Sequence, residues 1–318
     1  MKHKLNRRHF FRSSSALLAG LGFGQTSLGQ TSLGLNSPGL ASPGQNSINR
    51  PFADVDQMQG VQLAIATICL DGFGDENFEP AFRIIPQTGI KNVEFNVWYP
   101  RNITPAGLAS IQERCYENGL KPISLQGTSF GDNVLKDVTH KLWLMEKAKA
   151  LGCRRVKFTG SGRGKAGGLE NVIAVLKELA PAAEEMDVLI AVENHANNNI
   201  ENIEDYERIF DAVDSSHVGM CLDMGHFDGA NVDNFEVVEK FHDKVVHIDL
   251  KDTREKGIHK VVPYGQGVTK GEEVVQAMID KGYSGYIVIE QAPPIEGIDL
   301  TQEIIRIKDI FTQYAEVQ

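Results

Sequence analysis

The segment VVHIDLKD, residues 245–252, decides the fold, because three other segments of the chain repeat its design. These are VLIAVENH at 188–195, GMCLDMGH at 219–226 and YIVIEQ at 286–291. Each is an apolar run typical of a buried strand, and each carries a carboxylate or an imidazole at or near its end. A carboxylate beside apolar strands is costly to bury unless it is paired or binds a cation. The four segments therefore predict one shared site where four strands end.

Eight strand-like runs occur along the chain, and helix-like stretches with apolar residues at three- and four-residue spacing separate them. Eight strand-then-helix units over roughly 260 residues are the content of a (β/α)8 TIM barrel. A doubly wound open sheet competes, but it usually has a glycine-rich G-x-G-x-x-G turn after its first strand. Here that turn reads CLDGFG, residues 69–74. The sequence therefore predicts a single-domain α/β barrel with strands over residues 61–68, 91–97, 121–127, 154–160, 188–195, 218–225, 245–252 and 286–291.

The acidic positions all fall near the carboxyl ends of predicted strands five to eight, where TIM barrels build their active sites. They are Glu193, Asp223, Asp249 and Glu290. Residues two apart in a strand share a face, so His247 points the same way as Asp249. The same spacing places Glu94 on the face of strand two that reaches the cavity. Trp98 follows that strand, where it could form an aromatic platform for a sugar or serve in ordinary packing.

The first 56 residues differ in composition from the rest. NRRHFFR at 6–12, followed by an apolar run over 16–23, resembles a twin-arginine export signal, which we assign to residues 1–24. Residues 25–56 are rich in Gly, Ser, Gln and Pro and predict a flexible linker. The barrel domain is therefore expected over residues 57–318. An exported or periplasmic location follows, and the apolar run is too short for a stable membrane span.

Charge bears on the partners of the predicted domain. Residues 57–318 contain 26 basic and 40 acidic residues, a formal net charge of −14. A field of that sign repels a phosphate backbone, so nucleic acid is not an expected partner. A small neutral substrate is compatible with it, and so is a homo-oligomer, whose state the sequence does not specify.

Five motifs together resemble one known superfamily. They are VENH at 192–195, LDMGH at 222–226, HIDLKD at 247–252, YGQG at 264–267 and GYSGYIVIEQ at 282–291. At these residues the chain resembles the xylose isomerase-like TIM-barrel superfamily. The branch it is most similar to is that of the sugar phosphate isomerases and epimerases, with its ketose 3-epimerases and inosose dehydratase-like lyases. The resemblance covers about residues 58–315.

The resemblance implies one divalent metal ion held by residues on strands five to eight. Glu193, Asp223 and Glu290 match three of the ligands directly. The usual pattern on the seventh strand is H-x-H-x-K-D with the second His as ligand, and this chain has Asp249 there. Either Asp249 binds the ion or His247 replaces it. An all-oxygen site favours Mn²⁺ or Mg²⁺, with Co²⁺ or Zn²⁺ as alternatives.

The resemblance also implies proton transfer next to a carbonyl through an enediolate that the metal stabilises. Glu193 and Glu290 would be the catalytic pair that removes the proton and returns it. His226 would hydrogen-bond a substrate hydroxyl. Further candidates for substrate binding are His195, Lys157 and Lys251.

Four functions fit these residues to different degrees. The leading one is a sugar isomerase or epimerase acting on a sugar or keto-sugar. A metal-dependent lyase that eliminates a β-substituent from a keto-sugar or keto-glycoside needs the same base and metal, and the sequence does not separate the two. An endonuclease IV-like hydrolase is a weaker candidate. A resemblance to that enzyme would imply a three-zinc site with a histidine on the fourth strand, and here that strand ends in KFTGS, residues 157–161. A sugar-binding protein without turnover is the fourth.

Overall fold

Eight parallel strands close into a barrel in the computed structural model of the chain, which describes residues 60–71, 77–165 and 167–315. The predicted TIM barrel is confirmed, and every predicted strand is present within a few residues of its expected bounds. The order around the barrel is β1-β10-β7-β6-β5-β4-β3-β2. The strands are β1 Gln62–Ala66, β2 Asn92–Asn96, β3 Lys121–Gln126, β4 Arg155–Thr159, β5 Leu189–Glu193, β6 Val218–Asp223, β7 Val245–Leu250 and β10 Tyr286–Ile289, with β8 Thr253–Glu255 and β9 Ile258–Val261 forming a separate hairpin.

Helices surround the barrel between successive strands. They begin and end where the sequence supplies caps: the Asn202 side chain accepts from Asp205 N and completes a capping box, and Gly152 ends a helix at φ 87°. The helices are α1 Ile68–Asp71, α2 Glu79–Thr88, α3 Pro105–Asn118, α4 Val134–Leu151, α5 Gly168–Met186, α6 Ile203–Ala212, α7 Met224–Gly229, α8 Asn234–Phe241, α9 Gly271–Asp280 and α10 Leu300–Phe311, with a 3-10 turn at Pro100–Ile103.

The strand register brings the acidic residues to one level of the barrel. Asp223 on β6 pairs with Asp249 on β7, and Glu193 on β5 pairs with Cys221, two residues before Asp223. Glu290 directly follows β10, the other neighbour of β7. Because parallel strands end at the same rim, side chains that are distant in sequence meet there.

The β8–β9 hairpin, which the sequence analysis missed, follows β7 directly. The loop that follows the hairpin is tied back to the hairpin's base by the buried carboxylate of Asp252, which accepts from Gly265 N and Gly267 N at 2.8 Å each and from Thr269 N at 3.1 Å. A Cβ at residue 267 would lie 2.1 Å from the Thr253 carbonyl oxygen, so only glycine fits. The YGQG motif therefore serves to close this loop against the base of the hairpin.

The predicted signal peptide and the predicted linker both precede the described residues, so both assignments stay predictions. Among the residues that the structure describes, no helix combines the length and apolar character needed to cross a membrane.

Candidate metal centre

Four carboxylates converge at the rim of the barrel. Glu193, Asp223, Asp249 and Glu290 each offer an oxygen, and these four oxygens lie within 4.8 Å of one another. All four side chains are buried. They come from the ends of β5, β6, β7 and β10, as the alternation of apolar and acidic residues predicts.

One buried lysine lies between three carboxylates. The Lys157 ammonium, from β4, is 2.7 Å from Glu94 Oε1 and 2.7 Å from Asp249 Oδ2, and it also donates to Glu290. The Lys157 side chain is fully buried. The sequence predicts Lys157 and Glu94 as substrate contacts; the structure gives both of them protein partners, and Glu94 accepts in addition from Ser124 Oγ at 2.5 Å.

A second lysine, Lys251, contacts two of the four converging carboxylates. The Lys251 ammonium donates to Asp223 Oδ2 at 2.6 Å and to Glu290 Oε1 at 3.4 Å. It also lies 3.0 Å from His226 Nε2. Since an ammonium only donates, His226 accepts at Nε2 and carries its hydrogen on Nδ1.

The charges of this cluster do not balance. Glu94 and the four converging carboxylates face two ammonium groups, so full ionisation leaves three negative charges that the lysines do not compensate. Burial is the main cause that raises the pKa of Glu193 well above its usual value and the pKa of Asp249 to about 6. Burial likewise raises the pKa of Asp223.

The pKa of Glu290 is shifted in the opposite direction, because both lysines contact this carboxylate. Burial acts to raise its pKa, but the ammonium groups of Lys157 and Lys251 outweigh burial and hold that pKa far below its ordinary value. The same contacts act on the lysines: burial would lower their pKa values, and the surrounding carboxylates raise them instead. Both ammonium groups are therefore charged at neutral pH.

The residues present fit a divalent cation. Three uncompensated negative charges in a buried cluster are costly, and a dication would neutralise two of them. The converging oxygens form an all-carboxylate donor set of the kind that Mg²⁺ and Mn²⁺ accept. Asp249, rather than His247, belongs to this set. The Nε2 of His247 instead lies 3.0 Å from Asp249 Oδ1 and 3.4 Å from Glu94 Oε2.

Smaller ligand groups overlap with this set. Cys221, His247 and Asp249 could hold an ion together, and so could Glu193, Asp223 and His226. The Cys221 thiol is 3.1 Å from Asp249 Oδ2, the oxygen that Lys157 also contacts. The four-carboxylate group is the stronger candidate for a hard cation, because it offers four oxygen donors and each smaller group offers three ligands.

Two histidines predicted as substrate contacts lie side by side at the rim. The rings of His195 and His226 are 3.7 Å apart between centroids. His195 Nδ1 lies 2.8 Å from the carbonyl oxygen of Ala196. Trp98 is partly buried and packs against the core.

Sequence reasoning missed three groups around the site. Gln126 on β3 donates to Glu193 Oε2 at 3.2 Å, Cys221 contacts Asp249, and His259 on β9 stacks on His226 at 4.2 Å. Gln126 and Cys221 alternate with apolar residues on barrel strands, a signal that could have found them. His259 gives no such signal, because the hairpin that carries it is short and mostly exposed.

A family model described as a xylose isomerase-like TIM barrel matches residues 53–308. The chain belongs to this family. Among curated proteins, it is 23% identical over 271 residues to an inosose dehydratase of Clostridium perfringens strain 13, covering 72% of this chain and 89% of the relative.

Solved structures share the fold at low identity. The IOLI protein, whose crystal structure contains a zinc atom, superposes with a TM-score of 0.65 at 20% identity, covering 80% of this chain and 99% of that one. An L-ribulose 3-epimerase gives a TM-score of 0.66 at 14% identity, with coverage of 80% and 94%. The chain is therefore similar in sequence to an inosose dehydratase and similar in fold to an L-ribulose 3-epimerase.

Proposed function

We propose that this protein is a divalent-metal-dependent isomerase or epimerase that acts on a keto-sugar by proton transfer next to the carbonyl. The observation that carries the proposal is the buried group of four converging carboxylates, which together with Glu94 leaves three negative charges that the two lysines do not compensate. Glu193, Asp223, Asp249 and Glu290 would hold the metal, with Mn²⁺ or Mg²⁺ favoured by the oxygen donors. When bound, the ion supplies Lewis-acid stabilisation of negative charge on the substrate oxygens.

The acid–base pair follows from the barrel topology. Glu193 ends β5 and Glu290 follows β10, and these strands stand three places apart in the ring of eight. Their carboxylates therefore approach the centre from nearly opposite walls. One takes the proton from the carbon next to the carbonyl, and the electron pair moves to the carbonyl oxygen. The other carboxyl group returns a proton to the opposite face, which inverts the carbon.

The two lysines support this chemistry in different ways. Lys157 is fully buried and contacts Glu94, Asp249 and Glu290, so we assign it a positioning role. Lys251 holds Asp223 and orients His226, whose Nδ1–H is then available to a substrate hydroxyl. Both lysines limit the repulsion between carboxylates that must share one small site.

A lyase is the second candidate. It is supported by the similarity to an inosose dehydratase over 72% of this chain. The first step is the same proton removal; the electron pair then expels a β-hydroxyl or glycosidic oxygen, which leaves with a proton. His226, a neutral donor beside the carboxylates, is placed to hydrogen-bond such an oxygen.

The proposed location limits the substrate class. We propose that residues 1–24 direct export by the twin-arginine route, on the strength of the NRRHFFR segment. Sugar phosphates are chiefly intracellular, so the substrate of an exported enzyme would be an unphosphorylated keto-sugar or keto-glycoside.

Proton NMR in D₂O tests the reaction. The protein is loaded with Mn²⁺ or Mg²⁺, passed through a chelating resin to remove free ion, and incubated with D-fructose, D-tagatose and a keto-inositol. Deuterium at the carbon next to the carbonyl together with a new epimer supports the epimerase. An unsaturated product with release of water identifies the lyase instead. Glu185→Gln, an exposed carboxylate on α5, is the matched control for Glu193→Gln. Equal rates in those two variants would remove Glu193 from the acid–base role.

A further inference from the structure

Three imidazole rings pack in a triangle at the mouth of the barrel and form a histidine cluster. The His226 centroid lies 3.7 Å from that of His195 and 4.2 Å from that of His259, and the His195 and His259 centroids are 5.2 Å apart. The three rings come from separate elements: the loop after β5, helix α7 and strand β9. Only close packing allows this, since a Cβ on Gly229 of α7 would lie 3.1 Å from the His259 Cα.

The hydrogen positions of two rings follow from their partners. The Ala196 carbonyl can only accept, so His195 donates from Nδ1 and keeps Nε2 as an acceptor. The Lys251 ammonium can only donate, so His226 accepts at Nε2 and carries a hydrogen on Nδ1.

Two ring nitrogens of the histidine cluster have no hydrogen-bond partner among the described residues. They are His226 Nδ1 and His259 Nε2, and both are buried. The His226 side chain is only 3% exposed. A buried polar atom without a partner is destabilising, and a ligand that supplies the missing hydrogen bond recovers that loss.

A series of contacts connects the carboxylates to the histidine cluster. Asp223 is joined to Lys251 at 2.6 Å, Lys251 to His226 at 3.0 Å, and His226 stacks on His259. His259 is carried by the β8–β9 hairpin, and Asp252, at the base of this hairpin, binds three backbone N–H groups of the loop that follows it. A substrate whose carbonyl lay at the carboxylates would present the atoms farthest from that carbonyl to the histidine cluster.

The charge state of the histidine rings indicates which ligands the cluster can bind. Burial, followed by the nearby Lys251 ammonium, lowers the pKa of His259 to about 4, so this ring is neutral at pH 7. The Lys251 ammonium can only donate to His226 Nε2, so His226 is a neutral ring as well. Neutral imidazoles offer one donor and one acceptor each, which matches hydroxyl groups and gives no charge for a phosphate.

We propose that the β8–β9 hairpin forms a polyol subsite in which His259, beside His226, binds the distal hydroxyls of a neutral, unphosphorylated sugar or cyclitol ring. The inference rests on the proposed function for the placement of the carbonyl end, and it makes His259 a specificity-determining residue.

The test measures binding of myo-inositol to the full-length, metal-loaded protein by isothermal titration calorimetry. This probe has no carbonyl, so its binding requires no turnover. His259→Phe keeps an aromatic ring in the histidine cluster and removes both nitrogens, and its affinity is expected to fall about three- to tenfold, the contribution of one neutral hydrogen bond. His259→Gln retains a donor and an acceptor and should recover most of that loss. His242→Phe, at the end of α8, is the matched control and should bind like the wild type.

Three results would overturn the subsite: no saturable binding of myo-inositol to the wild type, equal affinity in the wild type and His259→Phe, or the same loss in His242→Phe. Melting temperature and metal content are measured for each variant, so that a folding defect in His259→Phe is recognised and the comparison passes to His259→Leu, which also lacks both ring nitrogens and should show the same loss. Hydrogen exchange of dihydroxyacetone in D₂O by the wild type tests the proposed function separately. If exchange fails while inositol binding depends on His259, the reaction is wrong and the subsite stands.

Discussion

Replacing Lys157 with Met is the perturbation that most directly tests the charge arrangement of the site. The substitution keeps much of the side-chain volume and removes the ammonium that contacts Glu94, Asp249 and Glu290. The number of negative charges that lysines do not compensate rises from three to four. Lys251 also contacts Glu290, but among the described residues no second lysine forms an ion pair with Glu94 or Asp249.

The magnitude follows from the geometry. At an effective dielectric of about 20, each carboxylate at 2.7 Å attracts the ammonium by roughly 6 kcal/mol, and much of this attraction offsets the loss of hydration. Removing one partner of a buried ion pair costs about 3–5 kcal/mol, and three carboxylates depend on Lys157, so we expect the upper part of that range. For a domain of this size the melting temperature should fall by roughly 6–20 °C.

Thermal unfolding in EDTA and in excess Mn²⁺ is the assay. In EDTA, Lys157→Met should melt well below the wild type, because the extra charge has no counter-ion. In Mn²⁺ the variant should gain more stability than the wild type gains, since a dication meets a more negative site. Lys281→Met, which removes a lysine paired with Glu239 on the surface, should melt like the wild type in both buffers. A Lys157→Met protein that melts like the wild type in EDTA, or gains no more from Mn²⁺, would refute the reasoning.

Three other predictions follow from the proposed roles. Glu193→Gln and Glu290→Gln should each abolish turnover with the fold retained, measured as product formation by NMR alongside circular dichroism; near-normal activity in either variant would contradict the assignment. Because burial lowers the pKa of His259 to about 4 from an ordinary 6.5, the unfolded chain binds the extra proton as pH falls from 6.5 to 4, and the wild type should lose stability relative to His259→Phe over that window. A melting-temperature difference that stays constant from pH 7 to 4 would argue against this. Changing Arg7 and Arg8 together to Lys should retain the protein in the cytoplasm, as judged by fractionation and immunoblotting, and unchanged export would exclude the twin-arginine route.

Much of the site follows from local sequence pattern. The apolar runs before Glu193, Asp223 and Glu290 predict buried strands, and parallel strands in a barrel must end at one rim. The convergence of these carboxylates is therefore a consequence of the strand pattern and the closure of the barrel. The metal ligand on the seventh strand could not be predicted in this way, because Asp249 and His247 share a face. Only the packed structure places the Asp249 oxygen in the group of four.

The partners of the charged groups depend on contacts between distant strands. Lys157 lies 92 residues from Asp249 and 133 from Glu290, and the sequence near Lys157 does not indicate which of several inward groups it would meet. His259 lies on a hairpin that contacts α7 only in the folded chain, so its packing against His226 has no sequence signature.

Apolar periodicity and strand direction are local properties, so they were enough to predict the barrel, the order of its strands and the rim at which the acidic residues gather. Which oxygens face one another, which lysine neutralises which carboxylate and which histidine packs against His226 depended on the folded chain. Those outcomes depend on distances of a few ångströms across the barrel, which arise only when all eight strands are in register.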